Sequence, residues 1–263
     1  MDIRLIELTA LTMIIHFVDT LAYSVRLNSV KSGKFALSIS LFNIFVLLSR
    51  TANMFQAPLI GGLIGFKILH HDDPLNDIRL VILASSLGTL LGIVLIPTFL
   101  KVFSKAVDRL EVKGSIPSIV VEALSVHNIK RMVKTTTKPR KSMLARLRYR
   151  EIPKRFLLLN TLITAIYTIG VLSAYYAAFF VSEEHRLAAS ASSGMINGVA
   201  TILLTILVDP QSAIITDQAL RGKRPYGDVK ALVVMLILSK FLGTLLGQAF
   251  ILPAAKMIAS FYQ

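Results

Sequence analysis

The chain has 263 residues, a formal net charge of +14 and no cysteine, yet 54% of its residues are hydrophobic and the mean hydropathy is +0.66. That pairing excludes an ordinary soluble domain, and the absence of cysteine excludes disulfides, thiolate nucleophiles and Cys-ligated metals. Apolar runs of about 20 residues recur, each long enough as a helix to cross a ~30 Å hydrocarbon layer, and strand-period alternation is absent, so an all-α polytopic membrane protein is expected rather than a β-barrel.

Six transmembrane helices are expected at roughly 5–25, 36–58, 78–99, 156–181, 187–208 and 230–252. Only "MDIR" precedes the first apolar segment, which carries Glu7, His16 and Asp19, so it reads as a retained span rather than a signal sequence. His16 and Asp19 are three residues apart and share a helix face. With Glu7, nearer the outer end, they are candidates for a charge or proton network. Two ligands at that spacing are a weak metal signal with no third in view, so no metal site is expected.

Span two, within "LLSRTANMFQAPLIGG" (Leu47–Gly62), places Arg50 inside an apolar run. An arginine at a helix centre costs about 2.5–3.5 kcal/mol on the insertion scale. Asn43, Asn53 and Gln56 extend a polar stripe that lipid would not tolerate, so the stripe should face protein or water. Span six adds Lys240 near mid-depth. Two readings of these charges stay open. In one, Asp19 pairs with Arg50 or Lys240 in a packed, neutral network. In the other, a wet cavity keeps surplus positive charge for an anionic substrate bound by Arg50, Lys240, Asn43, Asn53 and Gln56; a guanidinium suits bidentate phosphate contact.

The loops separate by charge. Arg26, Lys31 and Lys34 lie between spans one and two, a dense basic stretch runs from Lys101 to Arg155, and Arg221, Lys223, Arg224 and Lys230 lie between spans five and six. The alternate loops, "HHDDPLND" and "SEEHR", are neutral to acidic. The positive-inside rule then puts both termini outside. The long basic loop is accounted for by topology and attraction to anionic membrane lipids; alternatively Arg146, Arg148 and Arg150 capture an anionic headgroup. No aromatic platform accompanies it, so no nucleic-acid partner is expected. Segment 116–127, "IPSIVVEALSVH", is a candidate surface helix.

GTLLG occurs at 88–92 in span three and again at 243–247 in span six, a shift of 155. Thr9–Ala10 and Thr164–Ala165 match at the same shift, and Pro58 and Pro210 each end a span. The expected organisation is a first three-helix repeat over 1–110, a basic cytoplasmic loop over 111–155 and a second repeat over 156–263. An odd number of helices per copy makes the second copy inverted in the membrane, as in many secondary transporters. Both GTLLG motifs are also GxxxG, as are Gly61–Gly65 and Gly194–Gly198, a spacing that permits close helix approach. No nucleophile elbow, P-loop, HExxH or paired-carboxylate signature appears, so neither an enzyme nor a cofactor is expected.

These residues alone reach a transporter or flippase for an anionic amphiphile. The stretch "HFVDTLAYSVRLNSVKSGKFALSISLFNIFVLLSRTANMFQAP" (His16–Pro58) resembles the Amj family of bacterial envelope proteins, and the likeness runs through nearly the whole chain. The resemblance implies a multi-pass protein of the bacterial cell membrane. It also implies an alternate flippase for lipid II, the undecaprenyl diphosphate-linked disaccharide-peptide of peptidoglycan and cell-wall synthesis, substituting for the unrelated MurJ. A non-transporting scaffold for cell-wall enzymes and an intramembrane enzyme acting on polyprenyl phosphates are the alternatives.

Overall fold

A computed structural model describes residues 3–115, 117–118, 137 and 147–263. Nearly all of segment 116–127, and Arg146, lie outside the described residues. The helices are α1 (Ile3–Ser32), α2 (Phe35–Leu69), α3 (Leu75–Lys113), α4 (Lys154–Ala177), α5 (Arg186–Leu203), α6 (Asp209–Leu220) and α7 (Tyr226–Ala259). Short 3-10 turns cover Tyr149–Glu151 and Glu183–His185, and a π-helical segment, Leu204–Val208, joins α5 to α6. Among the described residues, six helical segments are long and apolar enough to cross a membrane, the fifth being the composite Glu183–Leu220. The chain is therefore an all-helical, multi-pass membrane protein.

Five of the six segments overrun the expected spans at both ends because the apolar stretch marks only the part that crosses hydrocarbon; α4 instead stops at Ala177, short of the expected 181. At 1.5 Å per residue, the 35 residues of α2 and 39 of α3 extend over more than about 50 Å, well beyond the ~30 Å apolar layer. Pro58 and Pro210 do not end spans. Pro58 lies inside α2, as do Pro97 in α3 and Pro253 in α7. Pro210 follows the π segment directly. A proline removes one N–H and displaces the carbonyl four residues back; a π turn upstream shifts the ladder register and lets the helix continue.

α1 packs mainly on α2 and α3, α4 packs mainly on α5 and α7, and the two sets meet where α3 and α1 touch α7. Glycines set the closeness of the two main seams. A Cβ on Gly88 would collide with the carbonyl oxygen of Met13, and one on Gly92 would lie 2.7 Å from Thr20 Cβ. A Cβ on Gly243 would lie 2.6 Å from Thr161 O, and one on Gly247 would lie 3.0 Å from Ile169 Cγ2 and 3.6 Å from Thr168 Cγ2. Both GTLLG motifs thus face the first helix of their own set. Gly65, Gly194 and Gly198 meet nothing within 4 Å, so the Gly194–Gly198 spacing makes no close seam and in the Gly61–Gly65 spacing only Gly61 does, its Cβ position lying 2.9 Å from the Tyr175 ring. Thr161 and Thr168 follow Met13 and Thr20 by 148 positions, whereas the glycines are 155 apart. The Thr9–Ala10 and Thr164–Ala165 match therefore does not fall at equivalent points of the two seams.

The apolar core is distributed unequally between the two ends. At the end holding the α2–α3 turn, one cluster joins both sets: Leu8 of α1, Leu63 of α2, Ile78 of α3, Leu172 of α4 and Ile251 of α7 belong to it; a smaller one, with Ala177, Ala189 and Ile258, serves α4, α5 and α7 alone. At the opposite, basic end there are two clusters. Val25, Leu41, Phe103, Val107 and Leu110 serve α1–α3, while Phe156, Val208, Ile215, Val229 and Leu232 serve α4–α7, touched by α1 through half-buried Tyr23, Leu27 and Val30. The α1–α2 turn at the basic end uses Gly33 at φ +70°. Lys34 beside it lies 2.6 Å from Asp108 Oδ1 and 2.7 Å from Glu111 Oε2. Hydrogen bonds to those two carboxylates, Asp108 first, raise the Lys34 pKa above the ordinary lysine value.

The seam geometry predicts which glycines tolerate a methyl group. Gly88→Ala and Gly243→Ala should each lower stability by about 1–3 kcal/mol, because the atoms they strike are backbone carbonyls. Gly65→Ala, with open space around it, should leave thermal unfolding in detergent unchanged or slightly raised.

Candidate functional site

Between the two sets of helices lies a cavity of about 290 Å³. Its walls come from the middle of α1, α2 and α4, from the α5–π–α6 composite and from Lys240 of α7. Of the residues singled out in the sequence, it brings together His16, Asp19, Asn43, Arg50 and Lys240. The face is set by helical spacing. Asp19, Tyr23 and Arg26 follow one another at four and three residues along α1, and Asn43 and Arg50 lie two turns apart on α2.

Lys240 is 4% exposed, and its Nζ lies 3.4 Å from Asp19 Oδ2. Asp19 Oδ1 accepts a 2.7 Å hydrogen bond from Ser49 Oγ of α2. The Tyr23 ring lies 5.9 Å from Lys240 Nζ and 5.7 Å from the guanidinium carbon of Arg26. Tyr23 Oη donates to Asn160 Oδ1 at 3.3 Å, and Asn160 Nδ2 donates in turn to Ser239 Oγ and the Leu236 carbonyl. That chain ties the ring to α4 and α7 and fixes its plane. Arg26 reaches Asp209 Oδ1 at 3.5 Å.

Arg50, by contrast, is exposed on the cavity wall and forms no ion pair among the described residues. Asp19 therefore pairs with Lys240 and leaves the guanidinium of Arg50 unmatched. The wall carries three basic side chains, Arg26, Arg50 and Lys240, against two carboxylates, Asp19 and Asp209. The balance is one positive charge before His16 is counted. His16 is buried, and its Nδ1 has no hydrogen-bond partner among the described residues.

The other candidates lie elsewhere. Gln56 is buried and donates to Thr12 Oγ1 at 2.8 Å, a helix–helix contact between α2 and α1. Asn53 is half-buried and Glu7 is exposed, and neither lines the cavity. Arg148 is held by Asp228 at 3.4 Å and Glu151 at 3.6 Å. Arg150 is exposed. Conversely, sequence reasoning missed Tyr23, Arg26, Tyr167 and Asp209. Arg26 and Asp209 each sit one residue past an expected span end and read as loop charges. The available signal was the continuation of the Asp19 face to Tyr23 and Arg26 at helical spacing.

Five of the six membrane-capable helical segments among the described residues wall a cavity that carries an unmatched guanidinium, and together the six define a polytopic membrane protein with a polar, cationic interior. Residues 11–262 match the family model described as "Alternate to MurJ". A curated relative, "Lipid II flippase Amj" of Bacillus subtilis (strain 168), is 40% identical over 251 residues, covering 94% of this chain and 92% of the relative. The chain belongs to the Amj family. No solved structure matches it.

The ion pair gives a directional test. Removing one member of a buried pair strands the other's charge, at about 3 kcal/mol or more, while removing both can be near neutral. Lys240→Met should lower the unfolding temperature in detergent more than Lys240→Met combined with Asp19→Asn. Additive losses in the double variant would show that the pair is not energetically coupled.

Proposed function

We propose that this chain is a flippase that carries lipid II from the cytoplasmic to the outer leaflet, a transporter rather than an enzyme. The substrate class follows from family membership and from the name of the Bacillus subtilis relative. The observation that carries the mechanism is a cavity deep within the helices in which Arg50 has no ion pair among the described residues and Lys240 is paired with a carboxylate that an anion can replace. Phosphate oxygens gain charge-assisted contacts there that hydrocarbon denies them.

In this reading both termini face outward. Residues 1–110 and 156–263 act as inverted three-helix repeats, joined by the basic stretch over 111–155. The matching glycine seams, Gly88–Gly92 on α1 and Gly243–Gly247 on α4, support the repeat. The split core at the basic end and the shared cluster at the other end support a conformer whose cavity belongs to the cytoplasmic side. Anionic lipids and the headgroup gather at the basic surface. Arg150 is free to take part, and Arg148 is better assigned to anchoring the loop on Asp228.

The diphosphate is neutralised by Arg50 and Lys240, with Asn43 and His16 on the same wall, while the polyprenyl tail stays in lipid. Rocking of one repeat on the other then exposes the headgroup outside. An inside-negative potential favours outward movement of negative charge by about 2.3 kcal/mol per charge per 100 mV.

The test is translocation of lipid II by purified protein in vesicles, read as headgroup exposure at each leaflet. Loss of a charge-assisted contact of about 2 kcal/mol corresponds to roughly 30-fold. Arg50→Ala should slow flipping by about that factor while inserting normally, and Arg50→Lys should fall between. Wild-type rates in both variants would reject Arg50 as a headgroup ligand.

A further inference from the structure

We propose that Arg26 forms a second phosphate seat in the cavity, on its cytoplasmic side, and that in this conformer the seat is filled by Asp209 from the opposite helix set. The inference rests on the flippase reading and adds a loading station to it.

Arg26 lies two turns beyond Asp19 along α1, toward the end that carries Lys31 and Lys34. Its side chain is 17% exposed and lines the cavity. A guanidinium has five N–H donors, and Arg26 commits one, over 3.5 Å, to Asp209 Oδ1. Its guanidinium carbon also lies 5.7 Å from the centre of the Tyr23 ring, which the Asn160 chain holds in place. The fork is therefore positioned, mostly screened from bulk solvent and part of the cavity wall, with donors beyond the one that reaches Asp209. A phosphate matches that fork bidentately, whereas a single long contact to a carboxylate does not.

Asp209 is a weak occupant. Its side chain is half exposed and the Arg26 contact is its sole ion pair among the described residues. The inner pair differs, because Asp19 also receives Ser49 and its partner Lys240 is almost sealed. An anion arriving from the basic end therefore meets the looser pair first. The two pairs are also reciprocal. Arg26 of the first set takes its acid from the second, and Lys240 of the second takes its acid from the first. The Tyr23 ring lies beside both cations. An anion that displaces Asp209 consequently loosens one of the two ionic links between the helix sets found among the described residues, on the side where the apolar core forms two clusters.

The experiment measures binding of undecaprenyl phosphate, and in parallel inorganic phosphate, to the full-length protein in nanodiscs. If Asp209 competes for the seat, Asp209→Asn should lower Kd for the lipid by about three-fold, in keeping with loss of a half-exposed pair. Arg26→Gln should raise Kd by about ten-fold, and Arg26→Gln with Asp209→Asn should match Arg26→Gln alone. A merely structural Asp209 would give the opposite sign, with weaker binding on its removal. Should Asp209→Asn accumulate poorly, Asp209→Ser tests the same sign.

Equal strengthening for both probes supports a seat for the phosphate itself; strengthening confined to the lipid supports a seat for a lipid headgroup. Unchanged or weaker lipid binding in Asp209→Asn, with wild type binding normally, overturns this seat and leaves the flippase reading standing. Failure of wild type to bind either probe overturns both.

Discussion

The ion pair between Lys240 and Asp19 constrains the rest of the structure. A lysine with 4% exposure in the middle of a membrane-crossing helix is tolerated only with a partner, and that partner sits on a different helix from the other half of the chain. α1 and α7 must therefore stay in register at this depth. Ser49 extends the same constraint to α2 through Asp19. Once these side chains are fixed, a polar space is unavoidable, because Arg50 and Asn43 lie on the same wall with no carboxylate left to neutralise the guanidinium. The charge imbalance gives the cavity its chemistry, an unmatched guanidinium on a polar wall.

Close helix contact and loose helix contact are divided between different elements. α1 against α3 and α4 against α7 meet at glycines where a single methyl group would strike backbone, so these pairs are closely apposed. α2 and the α5–π–α6 composite are much less buried within the protein, and both contribute cavity wall. The π segment with Pro210 marks a break in one of these outer helices at cavity depth, a place where the backbone ladder is already irregular and bending is least costly. Close glycine seams, less buried flanking helices and an apolar cluster shared by both sets at one end are compatible with the proposed rocking of one set on the other.

Much of this was legible in the sequence, for a physical reason. A charge inside an apolar run is conspicuous, so His16, Asp19, Arg50 and Lys240 stood out before any geometry was known. The GTLLG glycines stood out likewise, because they recur intact. The polar stripe on α2 was drawn too wide. Asn43 and Arg50, seven residues apart, share a face, but Gln56 is six residues past Arg50 and points about 120° away at 100° per residue. It bonds to Thr12 instead. Arg26 and Asp209 were read as loop charges because composition changes at the bilayer surface while the helix does not. The prolines misled in the same way: Pro58 and Pro210 punctuate composition without ending helices. The aromatic residues Tyr23 and Tyr167 carry no charge signal and are indistinguishable in sequence from ordinary apolar packing.

The account stands on the claim that a headgroup phosphate reaches the unpaired charge inside the protein. An electron cryomicroscopy structure of the protein in nanodiscs with undecaprenyl diphosphate tests this most directly. The account predicts diphosphate density in the cavity within hydrogen-bonding distance of both Arg50 and Lys240, with Asp19 withdrawn from the Lys240 ammonium. A diphosphate held only at the basic surface, with the Lys240–Asp19 pair intact and the cavity empty of lipid headgroup, would contradict it.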